Sequence, residues 1–156
     1  MKRLFWLVLF AGLVFSQSEA SKAVPVTVLG YDLNVVWPAP TLQIFGPECD
    51  ASAQEGFSLA RSLEPRIPDT VEKYACYLLM AKGADKQAAT VNFIAGYTRQ
   101  GAGYTLTFEQ SDISGRLVQV WEKGNVPALV YIFTFTDEGI KLLVGRLELI
   151  GGSAGS

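Results

Sequence analysis

From residue 89 to residue 150 the chain repeats one pattern: apolar and polar residues alternate with a period of two, interrupted by short turn-forming sequences. Five strand-like runs result, at 89–98, 103–110, 115–123, 126–136 and 140–150. Between them stand Gln100-Gly101-Ala102-Gly103, Ser111-Asp112-Ile113-Ser114-Gly115, Lys123-Gly124-Asn125 and Asp137-Glu138-Gly139, all rich in residues that accept tight-turn backbone angles. Strands joined by turns this short pair antiparallel, so a β-meander is predicted. In 103–110, Tyr104, Leu106 and Phe108 alternate with Thr105, Thr107 and Glu109, giving one buried and one wet face. The run 126–136 differs, because Leu129, Tyr131, Phe133 and Phe135 fill one face while Val130 and Ile132 fill the other. That is the pattern of a central strand covered on both sides.

Upstream, residues 24–37 (VPVTVLGYDLNVVW) read as one strand, bent at Gly30 or broken there into two. Pro38 and Pro40 stop it, and Phe45-Gly46-Pro47 marks a turn. Ser52 and Glu55 have capping-box spacing, which predicts a helix from Ser52 to Glu64, ended by Pro65. A second helix is predicted over 70–82, from the Asp69/Glu72 spacing, the stripe Val71, Tyr74, Ala75, Leu78 and the stop at Gly83. The order is thus strand, two helices, then five strands: an α+β domain over 21–150, its antiparallel meander packed on helices that share one face. Residues 151–156 (GGSAGS) read as a flexible tail.

At the level of topology this order is similar to the helix-grip arrangement, without that fold's C-terminal helix, and to the cystatin-like clasp of one helix by a meander. The string Asn92-Phe93-Ile94-Ala95-Gly96 resembles the Q-x-V-x-G of cystatins. Here Asn92 replaces the glutamine and the string lies inside a predicted strand, so the likeness transfers no function.

The N-terminus has the layout of a secretory signal peptide. Lys2 and Arg3 precede an apolar run from Leu4 to Phe15, and Ser18 and Ala20 occupy the positions of a cleavage site before Ser21. As a helix that run rises only about 18 Å, short of the roughly 30 Å hydrocarbon core of a bilayer. The first cysteine is at position 49, so no lipid anchor is expected. The exported chain of about 136 residues is expected to be periplasmic or extracellular, with no membrane anchor after cleavage. Without Lys2, Arg3 and Glu19, the 13 basic and 15 acidic side chains fall to 11 and 14. That mild negative balance gives no reason to expect nucleic acid as a partner.

Two cysteines, Cys49 and Cys76, lie in the exported part. An even count in an oxidising compartment predicts one disulfide, stabilising the fold by roughly 3–4 kcal/mol in the chain-entropy model.

The chain has no histidine. This excludes Ser-His-Asp and Cys-His nucleophilic designs and every imidazole-ligated metal site. Gly101-x-Gly103 leads into a strand and not a helix, so it reads as a hairpin turn and not a phosphate loop. No cofactor is expected. Glu109, Glu122 and Glu148, each on a predicted strand, are the carboxylates from which a glycosidase-like pair could be drawn.

Aromatic residues are the other candidates, since Tyr and Trp pair a flat apolar face with a polar tip. Trp121, Tyr97, Tyr104 and Trp37 are singled out as possible ligand or partner contacts. If Val118 and Val120 face inward, Trp121 faces outward with Gln119 and Lys123. The expected function is an exported, soluble, non-catalytic domain that binds a small apolar ligand or a protein. The alternatives are a carboxylate-based hydrolase of envelope or extracellular polymers and a subunit of an envelope assembly.

Overall fold

A computed structural model describes residues 26–28, 31–33 and 41–151. Residues 1–20, predicted as a signal peptide, Trp37 and residues 152–156 of the predicted tail lie outside the described residues. Strands β1 (Val26–Val28) and β2 (Tyr31–Leu33) form a two-stranded antiparallel sheet of their own, in place of one long strand. After them come β3 (Thr41–Ile44), α1 (Pro47–Leu63), β4 (Lys73–Leu79), α2 (Ala84–Gly96) and β5 to β8 at Thr105–Ser111, Leu117–Lys123, Val126–Phe135 and Ile140–Leu147. The six strands β3 to β8 form one open antiparallel sheet in the order β3-β4-β8-β7-β6-β5.

The α+β class and the last four strands of the meander are as the sequence predicts, except that a bulge between Leu106 and Phe108 turns Phe108 to the α1 side while Tyr104 and Leu106 stay on the other, so the three do not share one buried face. Two elements are exchanged. The segment predicted as a second helix, 70–82, contains β4, and the predicted strand 89–98 lies in α2 and the π-helical turn that follows it at Tyr97–Gly101. In β4 both faces are covered: Ala75, Tyr77 and Leu79 join one core cluster, Cys76 the other. A strand buried on both sides is apolar without alternation, and such a run imitates a helical stripe. In α2 the buried positions are Thr90, Val91 and Ile94, β-branched residues that read locally as strand although their spacing follows a helix.

The first helix also starts earlier than its capping box suggests. It begins at Pro47 after Gly46, with no side-chain cap. Proline at the first helical position costs nothing, because its missing N–H would have no intrahelical partner there. Glu48 and Asp50 in the first turn and Arg61 in the last suit the helix dipole.

The helices lie on opposite faces of the sheet, not on one. Cys49, Ala53, Phe57 and Ala60 of α1 pack with Cys76, Val118, Val120, Val130, Ile132 and Leu143. Val91 and Ile94 of α2 pack with Tyr77, Leu79, Trp121, Tyr131, Phe133, Leu142 and Val144. The alternation Val130/Ile132 against Leu129/Tyr131/Phe133 is therefore the seam between two cores, as the two-sided pattern of β7 predicts. Burying each of these large side chains stabilises the fold by about 1.5–3 kcal/mol. A slip of one residue in β7 would exchange the two sets, so burial itself fixes the register. Among the described residues no helix is long and apolar enough to cross a membrane.

Candidate functional site

Cys49 and Cys76 form the disulfide, tying the first turn of α1 to the middle of β4, and both are buried. This buried bridge is consistent with an oxidising, exported location.

Three of the four singled-out aromatics meet on the α2 side of the sheet. Trp121 is fully buried, at 0% exposure, which corrects its expected outward orientation. Strand β6 is covered on both faces, so both Val120 and Trp121 point into a core. Its ring lies 6.4 Å from that of Tyr131, and the Arg99 guanidinium from the π-helical turn stands 5.7 Å from the indole centroid, within cation–π range. Tyr104 is buried in the same cluster under the Lys123 ammonium, and Tyr97 packs at its margin.

Trp121, Gln119 and Tyr131 are hydrogen-bonded within this cluster. The indole Nε1 of Trp121 donates to Gln119 Oε1 at 3.1 Å, and Gln119 Nε2 donates to Glu109 at 2.7 Å. Thr98 Oγ1 donates to the Ile94 carbonyl, so the Tyr131 hydroxyl, 3.0 Å away, is the donor of the Thr98–Tyr131 bond. Burial pushes the Tyr131 phenol up to about 12, against the opposing effect of Thr98, and does the same to Tyr77. The arrangement is a packed, hydrogen-bonded core wall.

The structure does not bring the three candidate glutamates together. Glu109 accepts from Gln119 beside the α2 core, whereas Glu122 accepts from Arg66, which follows α1. Glu122 pairs with Thr105, which stands four positions from Glu109 along β5, or about 13 Å of extended chain. Glu148 lies instead in an open depression of about 370 Å³ with Lys73 and Arg146. Among the described residues no cluster of acidic, Cys or His side chains could hold a metal ion.

On the α1 side lies a groove of about 190 Å³. Its floor is Ile44, Cys76, Ile132 and Leu143. One wall is α1, through Glu48, Ser52, Glu55 and Gly56, and the other carries Arg116, Thr134 and Lys141. Residues 48, 52, 55 and 56 share one side of a helix by their spacing, and Gly56 lets α1 sit directly on the sheet: a β-carbon there would meet Leu143 Cδ2 at 2.7 Å. Arg116 closes one end, donating to Glu55 at 2.9 Å and to Asp112 at 2.9 Å. Burial acts to raise the Asp112 pKa, but hydrogen bonds from Ser114 and from the backbone and guanidinium of Arg116 outweigh it and hold the group at about 2.

These groove residues escape sequence reasoning for a physical reason. Glu48, Ser52 and Glu55 look like any solvated helix face until the helix is known to begin at Pro47, and nothing local shows that Arg116 faces it across the sheet.

The chain matches no family model, no curated protein and no solved structure.

Proposed function

We propose that the protein is an exported, non-catalytic binding module that docks another protein through the groove beside α1. The groove itself carries this reading: two walls that bear Glu48, Ser52, Lys141 and the Glu55–Arg116 pair stand over an apolar floor that is half-buried at Ile44 and buried at Cys76, Ile132 and Leu143. An apolar centre with a polar rim is the anatomy of a protein interface. Its volume of about 190 Å³ is below the 300–1,000 Å³ or so of a typical small-molecule pocket, and suits one or two inserted side chains. The space between sheet and helices, where an apolar ligand would sit, is occupied by Trp121, Phe133, Leu79 and Leu129.

The test is a photo-cross-linking amino acid at position 52, on the exposed groove wall, in cells of the organism that makes the protein. A discrete protein adduct is expected. The purified partner should bind the wild-type chain and lose affinity for Thr134→Arg, which fills the groove. Absence of an adduct, or equal binding of the variant, overturns the reading.

A further inference from the structure

The sheet sets two cations directly opposite each other. Lys73 on β4 pairs with Arg146 on β8, so both side chains rise from one face with their β-carbons about 4.5–5.5 Å apart. Like charges in that relation destabilise a sheet, and an anionic group lying between them relieves the repulsion. Arg146 is half-buried and Lys73 is exposed, so the arginine offers a planar fork and the lysine a mobile point charge. Both line the open depression of about 370 Å³, a volume within the range of roughly 300–1,000 Å³ for small-molecule sites. It shares no lining residue with the groove beside α1.

Two carboxylates complete the charge pattern: Glu72, next to Lys73, and Glu148, just beyond the end of β8. Among the described residues Lys73 forms no ion pair with either glutamate, so the lysine and both carboxylates keep their bonding capacity for an outside partner. Val71 and Pro127, both half-buried, add apolar surface to the lining. A simple anion would satisfy the cations but bring its own charge up against Glu72 and Glu148. A ligand that carries an anion and a cation on one carbon meets both sets at once. We propose that this depression binds the zwitterion of a free aliphatic α-amino acid. The ligand carboxylate accepts from Lys73 and Arg146, its ammonium donates to Glu72 and Glu148, and its side chain lies on Val71 and Pro127. Charge complementarity at both ends of the ligand, and not area alone, selects this class.

The test is a titration of the full exported chain, isotope-labelled for NMR, with L-leucine. We expect saturable shifts of the backbone amides of Lys73, Arg146 and Glu148, and none at Ser52 or Cys76 of the groove. Isocaproate, which lacks the ammonium, and isoamylamine, which lacks the carboxylate, should each bind about tenfold or more weakly than leucine. Lys73→Glu should abolish the shifts without lowering the Tm, because the side chain is exposed and stands opposite Arg146. Glu148→Gln should weaken leucine and leave isocaproate no weaker than before. Absence of shifts at Lys73 and Arg146 up to the solubility limit of leucine overturns the site. Isocaproate binding as tightly as leucine overturns the amino-acid assignment, and so does undiminished leucine binding by Lys73→Glu. Each of these failures leaves the groove reading standing, since the two sites have no residue in common.

Discussion

The rim of the Phe57 ring lies against the bare α-carbon of Gly145: a β-carbon added there would stand 2.5 Å from Phe57 Cζ and 2.6 Å from Cε1. This contact joins α1 to β8 in the middle of the sheet, beside the edge-to-face pair of Phe57 and Tyr74 at 6.1 Å. Gly145→Ala should therefore destabilise the fold by about 1–3 kcal/mol, the range for overpacking a filled core. In urea titrations, Phe57→Leu in the same chain should recover part of that loss. An unchanged unfolding midpoint for Gly145→Ala would contradict this packing.

Gln119 is 2% exposed and bridges a surface carboxylate to a buried indole. Replacing it with leucine keeps the volume but removes the acceptor for Trp121 Nε1–H. Stability should fall by about 1–3 kcal/mol, the cost of leaving a buried donor unsatisfied. The urea midpoint measures it, and a Gln119→Leu chain as stable as wild type would count against the bridge.

Replacing both cysteines, Cys49→Ser with Cys76→Ser, should cost about 3–4 kcal/mol by freeing the unfolded chain. A reducing agent acting on the unfolded wild-type chain should lower its refolded stability by a similar amount. Because Cys76 lies in the groove floor and Cys49 in the wall helix, the proposed docking at the groove should weaken as well.

Stability should be flat through neutral pH and fall at both extremes. Asp112 is held at about 2 in the folded chain against 3.8 ordinarily, so its contribution is present above about 3.8 and is lost as pH falls through 2. Tyr77 and Tyr131 are raised from 10.0 to about 12. Their contribution is present below 10 and is lost as pH rises through 12. Spectrophotometric titration should show two phenols ionising only near pH 12, or together with unfolding. In Asp112→Asn the acid limb should shrink while the alkaline limb stays.

The legible parts of the fold are those where burial is one-sided or turn chemistry is strong. Strands β5 to β8 come from alternation and from turns such as Ser111–Gly115, and β7 declares itself central through its two apolar faces. The failures cluster where burial is two-sided. Tyr74, Ala75 and Leu78 lie on a strand with cores above and below it, so their spacing carries a helical period by coincidence. Alternation points Trp121 outward if Val118 and Val120 point in, a deduction that holds only for a sheet with one wet face. Gly46-Pro47 reads as a turn when taken alone and as a helix start once Glu48 and Asp50 are seen in the first turn. The groove is illegible for a different reason: its walls come from α1, from β7 and β8 and from Arg116 in the turn before β6, and no short window of sequence holds them together.

Under mechanical load the Cys49–Cys76 bridge would act as a bypass. Tension applied between the two ends of the chain would run across the sulfur–sulfur bond and skip the intervening segment, a separation of 27 residues that contains nearly all of α1. At about 3.5 Å per residue, roughly 90 Å of slack would be withheld from the extending chain. A pull that strips the β-sheet would thus leave α1 inside a closed covalent ring, and the protein would yield a shorter, stiffer thread than its residue count implies.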